Sequence, residues 1–109
     1  MALTTSTVSH HQVRNQSLGQ VTTDAGAAAD TTFVVGYAPR IVRFTNVTDR
    51  ITLEWYEGMA ADSAIQTIAA GTRALLTSSG ITANATLSGF SVKAASIPAS
   101  KVFSYETVG

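Results

Sequence analysis

The residues best suited to chemistry in this chain are two histidines, His10 and His11, and an acidic group formed by Asp49, Glu54, Glu57 and Asp62. Adjacent side chains on an extended segment point to opposite sides, so the histidine pair cannot close on one metal ion without a tight bend. No Asp or Glu lies within ten residues of it. The pair reads as solvated, and no metal site is expected. Glu54 and Glu57 fall on opposite faces if their strand continues, while Arg40, Arg43 and Arg50 lie close enough along the chain to neutralise them as cross-strand partners. These groups therefore read as structural or interface ion pairs and not as an acid/base couple. The spacing Asp49–Asp62 does not supply the regular oxygen ligands of a calcium loop. Gly71-Thr72-Arg73 and Ser78-Ser79-Gly80 lack the flanking glycines and the lysine of a phosphate cradle. With no cysteine in the chain, disulfides and thiolate chemistry are excluded. A hydrolytic site has no candidate nucleophile and base, so the expectation is a protein without enzymatic activity or cofactor.

The elements that carry these charges lie in the stretch GYAPRIVRFTNVTDRITLEWYEGM, Gly36–Met59, which also holds the only Trp. In Arg40–Val47, Val42 and Phe44 share one face, with Arg43 and Thr45 on the other. A polar turn at Asn46–Asp49 follows. The next run alternates strictly: Ile51, Leu53 and Trp55 on one face, Arg50, Thr52, Glu54 and Tyr56 on the other. A side-chain period of two predicts an antiparallel hairpin with one buried face and one facing water or a partner. Trp55 belongs by this pattern to the core. Tyr56, together with Arg43, Arg50 and Glu54, is assigned to a contact surface, since Tyr and Arg are enriched at interface centres.

Around this hairpin the chain is rich in Ala, Thr, Ser and Gly. Its 109 residues suit one domain with one core, and Lys+Arg and Asp+Glu number 7 each. The zero net charge gives no electrostatic footprint for nucleic acid or an anionic membrane. With 13% charged and 45% hydrophobic residues, the surface must be largely hydroxylic or apolar, which suits permanent contact with neighbours. The start of the chain has neither the basic segment nor the apolar run of a signal peptide, and no stretch approaches the roughly 18 apolar residues of a membrane span, so a cytosol-like setting is expected.

Residues 1–30 carry Leu3, Val8, Val13, Leu18 and Val21 at spacings that fit neither a helix nor a strand. They read as an extended N-terminal arm, with one short strand around Leu18–Thr22, whose apolar residues Leu3, Val8 and Val13 could enter pockets on neighbouring subunits. Residues 31–109 read as the folded domain. Short apolar runs at Thr32–Val35, Ala64–Ile68, Thr72–Thr77, Ile81–Ala85, Phe90–Ala94 and Lys101–Val108 alternate with turns at Gly36–Pro39, Ala69–Gly71, Ser78–Gly80, Ser88–Gly89 and Ile97–Ser100. Strands every 8–12 residues or so predict an all-β fold, an antiparallel β-sandwich or small β-barrel. Met59–Ala70 is read as strand, with a helical turn or two as the alternative.

The segments Gly36-Tyr37-Ala38-Pro39-Arg40, Asn46-Val47-Thr48-Asp49-Arg50, Glu54-Trp55-Tyr56-Glu57-Gly58-Met59 and, more loosely, Ala70-Gly71-Thr72-Arg73 together resemble small structural proteins of tailed bacteriophages, of the capsid decoration (cement) type. The resemblance implies a non-enzymatic virion protein, made in the host cytoplasm and carried on the outer surface of the capsid. It further implies the major capsid protein as partner and a homotrimer at local threefold positions. It supplies no named binding residues. The runner-up is a head-fibre or tail adaptor that anchors an adhesin. A carbohydrate-binding module would need aromatics in a row, and Tyr37, Tyr56 and Tyr105 are scattered in sequence.

Overall fold

A computed structural model describes residues 15–109. Eight strands form one antiparallel sheet: β1 (Gln16–Thr22), β2 (Thr31–Val34), β3 (Ile41–Asn46), β4 (Ile51–Tyr56), β5 (Ser63–Thr67), β6 (Arg73–Asn84), β7 (Gly89–Val92) and β8 (Val102–Val108). Their order across the sheet is β1-β8-β3-β4-β5-β6-β7-β2. The only helical element among the described residues is a 3-10 turn at Ala94–Ser96, and none of them forms a helix long and apolar enough to cross a membrane.

The sheet is curled into a half-barrel. Six strand spacings separate β2 from β8, which in a flat sheet would be roughly 29 Å. Yet the rings of Phe33 on β2 and Tyr105 on β8 have centroids 5.3 Å apart, and Phe33 lies 5.6 Å from Phe44 on β3. One end of the sheet is therefore folded over the other, so that a single sheet encloses its core as two sandwich layers would. Phe33 and Phe90 stack at 5.1 Å, Phe44 and Phe103 stack at 5.1 Å, and Phe44 and Phe90 meet edge to face at 6.3 Å. Val42, Leu53, Trp55, Ala64, Ile81, Val92 and Ile97 complete the buried set. The alternation expected in the hairpin is met: Val42, Phe44, Leu53 and Trp55 face in, while Arg43, Thr45, Thr52, Glu54 and Tyr56 face out.

Met59–Ala70 contains β5 and no helix. Two expectations are corrected. Ser78–Gly80 is not a turn: it is a bend inside the long strand β6, where the register with β5 jumps from Ala64↔Leu76 to Ser63↔Ile81. A Cβ on Gly80 would come within 2.4 Å of the Ser63 carbonyl, so the backbones can approach this closely only at glycine. The Gly80 N–H donates to the Asp62 carbonyl at 2.9 Å, and the Lys93 N–H donates to the Gly80 carbonyl at 3.1 Å. The second correction concerns the arm. Gln16–Thr22 is laid along β8 in seven-residue register, from Gln16↔Val108 to Thr22↔Val102, and Val21 packs on the core. The strand expected around Leu18–Thr22 is thus part of the sheet, and the boundary at residue 30 does not separate an arm from the domain.

Candidate interaction face

The β3–β4 pairing sets Arg43 directly opposite Glu54, and the β3–β8 pairing sets Arg43 opposite Glu106. On the outward face these registers line up a ladder of alternating charge. Arg43 Nη1 lies 3.1 Å from Glu106 Oε1, and Arg43 Nε lies 3.6 Å from Glu54 Oε2. Arg73, on β6, reaches across β5 to Glu54 Oε1 at 3.1 Å. The Tyr56 hydroxyl donates to Glu54 Oε2 at 3.0 Å, and the Gln16 amide donates to Glu106 at 3.5 Å. Glu54, with 19% of its side chain exposed, is the best covered member; Arg43 at 49% and Arg73 at 59% are open to solvent. The hydrogen bond to Glu106 leads the causes that hold the Arg43 guanidinium above its ordinary pKa.

Exposed pairs of this kind contribute about 0–1 kcal/mol each. Their more general effect is to fix long side chains in one pattern, which confers orientation and selectivity on a contact surface. The same face carries apolar residues at its margins, Leu18 on β1 and Leu75 on β6, exposed by 73% and 64%. A shallow groove of about 570 Å³ runs beside Arg43 and Glu106, lined also by Leu18, Gln20, Thr45 and Ser104.

Of the residues assigned to a contact surface from sequence, the fold brings Arg43, Glu54 and Tyr56 together. It does not bring Arg50 to them. Arg50 sits at the tip of the β3–β4 turn with φ 57° and enters no ion pair among the described residues. The pairing Asn46↔Ile51 leaves four residues to close the hairpin, and such loops commonly end in a left-handed residue. The alternation read through Arg50 therefore starts one residue too early. Leu3, Val8 and Val13 lie outside the described residues. Arg73 and Glu106 were missed. Both sit on alternating runs, but which run lies beside the hairpin depends on long-range pairing that local periodicity does not contain.

The turn itself is tied down. Asn46, 5% exposed, exchanges hydrogen bonds with Asp49, from Asn46 Nδ2 to Asp49 Oδ2 at 3.0 Å and from the Asp49 N–H to Asn46 Oδ1 at 3.0 Å. Lys101 Nζ meets Asp49 Oδ1 at 3.1 Å. At the β2 end, Lys93 lies 3.4 Å from Asp30 and 3.7 Å from Asp62. The Ala94 N–H, donating to Asp30 Oδ1 at 2.8 Å, is the first cause holding the Asp30 carboxyl below its ordinary pKa.

The three tyrosines form no row. Tyr105 packs among Phe33 and Phe90, the Tyr37 hydroxyl pairs with that of Thr107 at 2.7 Å, and only Tyr56 faces outward in the ladder. Among the described residues no three His, Cys, Asp or Glu side chains come together in a metal-binding group. No protein-family model, no curated protein and no solved structure matches the chain.

Proposed function

We propose that this chain is a non-enzymatic virion structural protein that binds and stabilises a bacteriophage capsid shell from its outer surface, as a decoration or cement protein. The observation that carries the reading is the outward ladder Glu106–Arg43–Glu54–Arg73 with Tyr56, an ordered and internally neutral pattern on a sheet face open to solvent. A face whose charges already neutralise one another can be covered by another protein without stranding an ion, provided the pairs remain intact. The sequence resemblance supplies the class of partner, the major capsid protein, and places further copies of the chain beside it, as a trimer.

The test is co-sedimentation with shells, lacking this protein, of the virus that encodes it. Saturable binding is expected, with Arg43→Ala and Tyr56→Ala each weakening it about tenfold or more, an effect of roughly 1.4 kcal/mol. Absence of wild-type binding, or unchanged binding of both variants, would overturn the assignment. Because the charges of the ladder are already paired within the face, affinity should change little between low and high salt.

A further inference from the structure

We infer that residues 15–35 form a strap, two edge strands on one length of chain, that lifts off the sheet and recloses as a single unit while the other six strands stay folded. β1 and β2 follow each other in sequence yet stand at opposite ends of the sheet, β1 paired only with β8 and β2 only with β7. The remaining strands form an unbroken ladder, β8-β3-β4-β5-β6-β7, without either of them. Among the described residues, all ten buried apolar side chains lie between Val42 and Phe103. The strap adds Val21, Phe33 and Val35, each partly buried against that core. Opening gives up two one-sided ladders and three partly covered side chains and keeps every member of the buried set, which is the profile of a low-stability cooperative unit.

The strap is fastened at a few points, all on the last part of the chain. The Thr23 N–H donates to the Lys101 carbonyl at 2.9 Å and its hydroxyl to the Pro98 carbonyl at 2.8 Å, while the Val35 N–H donates to the Ser88 carbonyl at 3.0 Å. Between the two strands, Asp24–Asp30 is exposed at every residue and belongs to no strand. At the far end Gly36 takes φ 93° with open space where a Cβ would stand, and Pro39 beyond it is buried. Rotation at Gly36 can therefore free the strap without moving β3.

What makes the two strands one unit is Tyr105. Its ring lies against Gly19 of β1, where a Cβ would meet it at 2.4 Å, and its centroid is 5.3 Å from that of Phe33 on β2. Phe33 is also wedged against Phe44 and Phe90. Lifting β2 withdraws Phe33 from the Tyr105 ring and lifting β1 withdraws Gly19, so either loss loosens the seat of the other strand. The Tyr37 hydroxyl, just past Gly36, adds a second link by reaching Ser17 Oγ on β1 at 3.2 Å. Opening bares Phe90 and Tyr105 and the edges of β7 and β8, and it does not depend on capsid binding.

The experiment is residue-resolved amide exchange on the full chain over a range of low denaturant concentrations. The bonds made by the Thr23 and Val35 N–H groups place the odd-numbered amides of both strands in their ladders, so Gly19, Val21 and Phe33 report on the strap. Val42 and Trp55, opposite each other in β3 and β4, report on the rest of the sheet. The strap amides are expected to share one opening step, with protection about a hundredfold below that of Val42 and Trp55. Phe33→Ala should speed exchange at Gly19 and Val21 on β1 by the same factor as at Val35. A pin should do the reverse. Thr32 and Ser91 stand opposite each other with side-chain oxygens 2.9 Å apart, in a chain without cysteine, so Thr32→Cys with Ser91→Cys can be oxidised to a disulfide. Oxidation should slow Gly19 and Val21 at the other end of the sheet, and reduction should release them; if Phe33→Ala does not fold, the pin decides alone. Strap amides as well protected as Val42, or β1 amides that ignore either change made on β2, would overturn the inference.

Discussion

Trp55 shows how one residue divides between packing and polarity. It is 6% exposed on the inward face with Val42 and Leu53, yet its Nε1 has no hydrogen-bond partner. Trp55→Ala should cost about 3–5 kcal/mol by chemical denaturation. Trp55→Phe should cost clearly less, because it keeps most of the ring and removes a buried donor whose desolvation is worth about 1–3 kcal/mol. Glu54 acts differently. Glu54→Gln keeps the shape but removes the charge between Arg43 and Arg73, and should lower stability by no more than about 1 kcal/mol. Asp30 contributes a pH dependence. Its folded pKa is depressed, first by the Ala94 N–H, so its contribution is present above the unfolded value and lost as pH falls through the folded one. Melting temperatures of wild type and Asp30→Asn should therefore differ at neutral pH and converge only once the pH has fallen below the ordinary aspartate range.

At the scale of elements, the edge strand and the bent strand decide what can be removed or changed. Deleting residues 2–24 takes away β1 and its ladder with β8, and uncovers Phe103 and Tyr105 from that side. The melting temperature should fall by roughly 10 °C or more. Calorimetry would resolve a change of that size. Gly80→Ala should cost about 1–3 kcal/mol, since its Cβ meets backbone and not a flexible side chain. The β3–β4 hairpin was legible in the sequence because alternation and turn chemistry are local. So was Trp55 in the core. The pairing of β1 with β8 was not, because QSLGQVT buries only its inward side against a strand eighty or more residues away and carries few apolar residues to mark it. Ser78-Ser79-Gly80 looked like a turn because the same residue types suit a tight bend in a strand. Three of the five residues of the outward ladder were legible for the same reason as the hairpin: Arg43, Glu54 and Tyr56 lie on its alternating runs, whereas Arg73 and Glu106 join them only through the sheet order.

For the whole molecule, a half-barrel places its apolar side chains on one concave inner surface and leaves an outer face patterned by paired charge. The inner surface accounts for stability, and the outer face carries the ladder of paired charges. The proposed role on a capsid follows from the outer face and from the resemblance in the central segments, and each can be tested apart from the fold. The most direct test is quantitative mass spectrometry of purified particles of the virus that encodes the chain, counting copies against the major capsid protein. The account predicts a number proportionate to the positions of the shell lattice. Only a handful of copies per particle would contradict shell binding and favour a tail or head-fibre adaptor, and absence from the particle would contradict a virion role altogether.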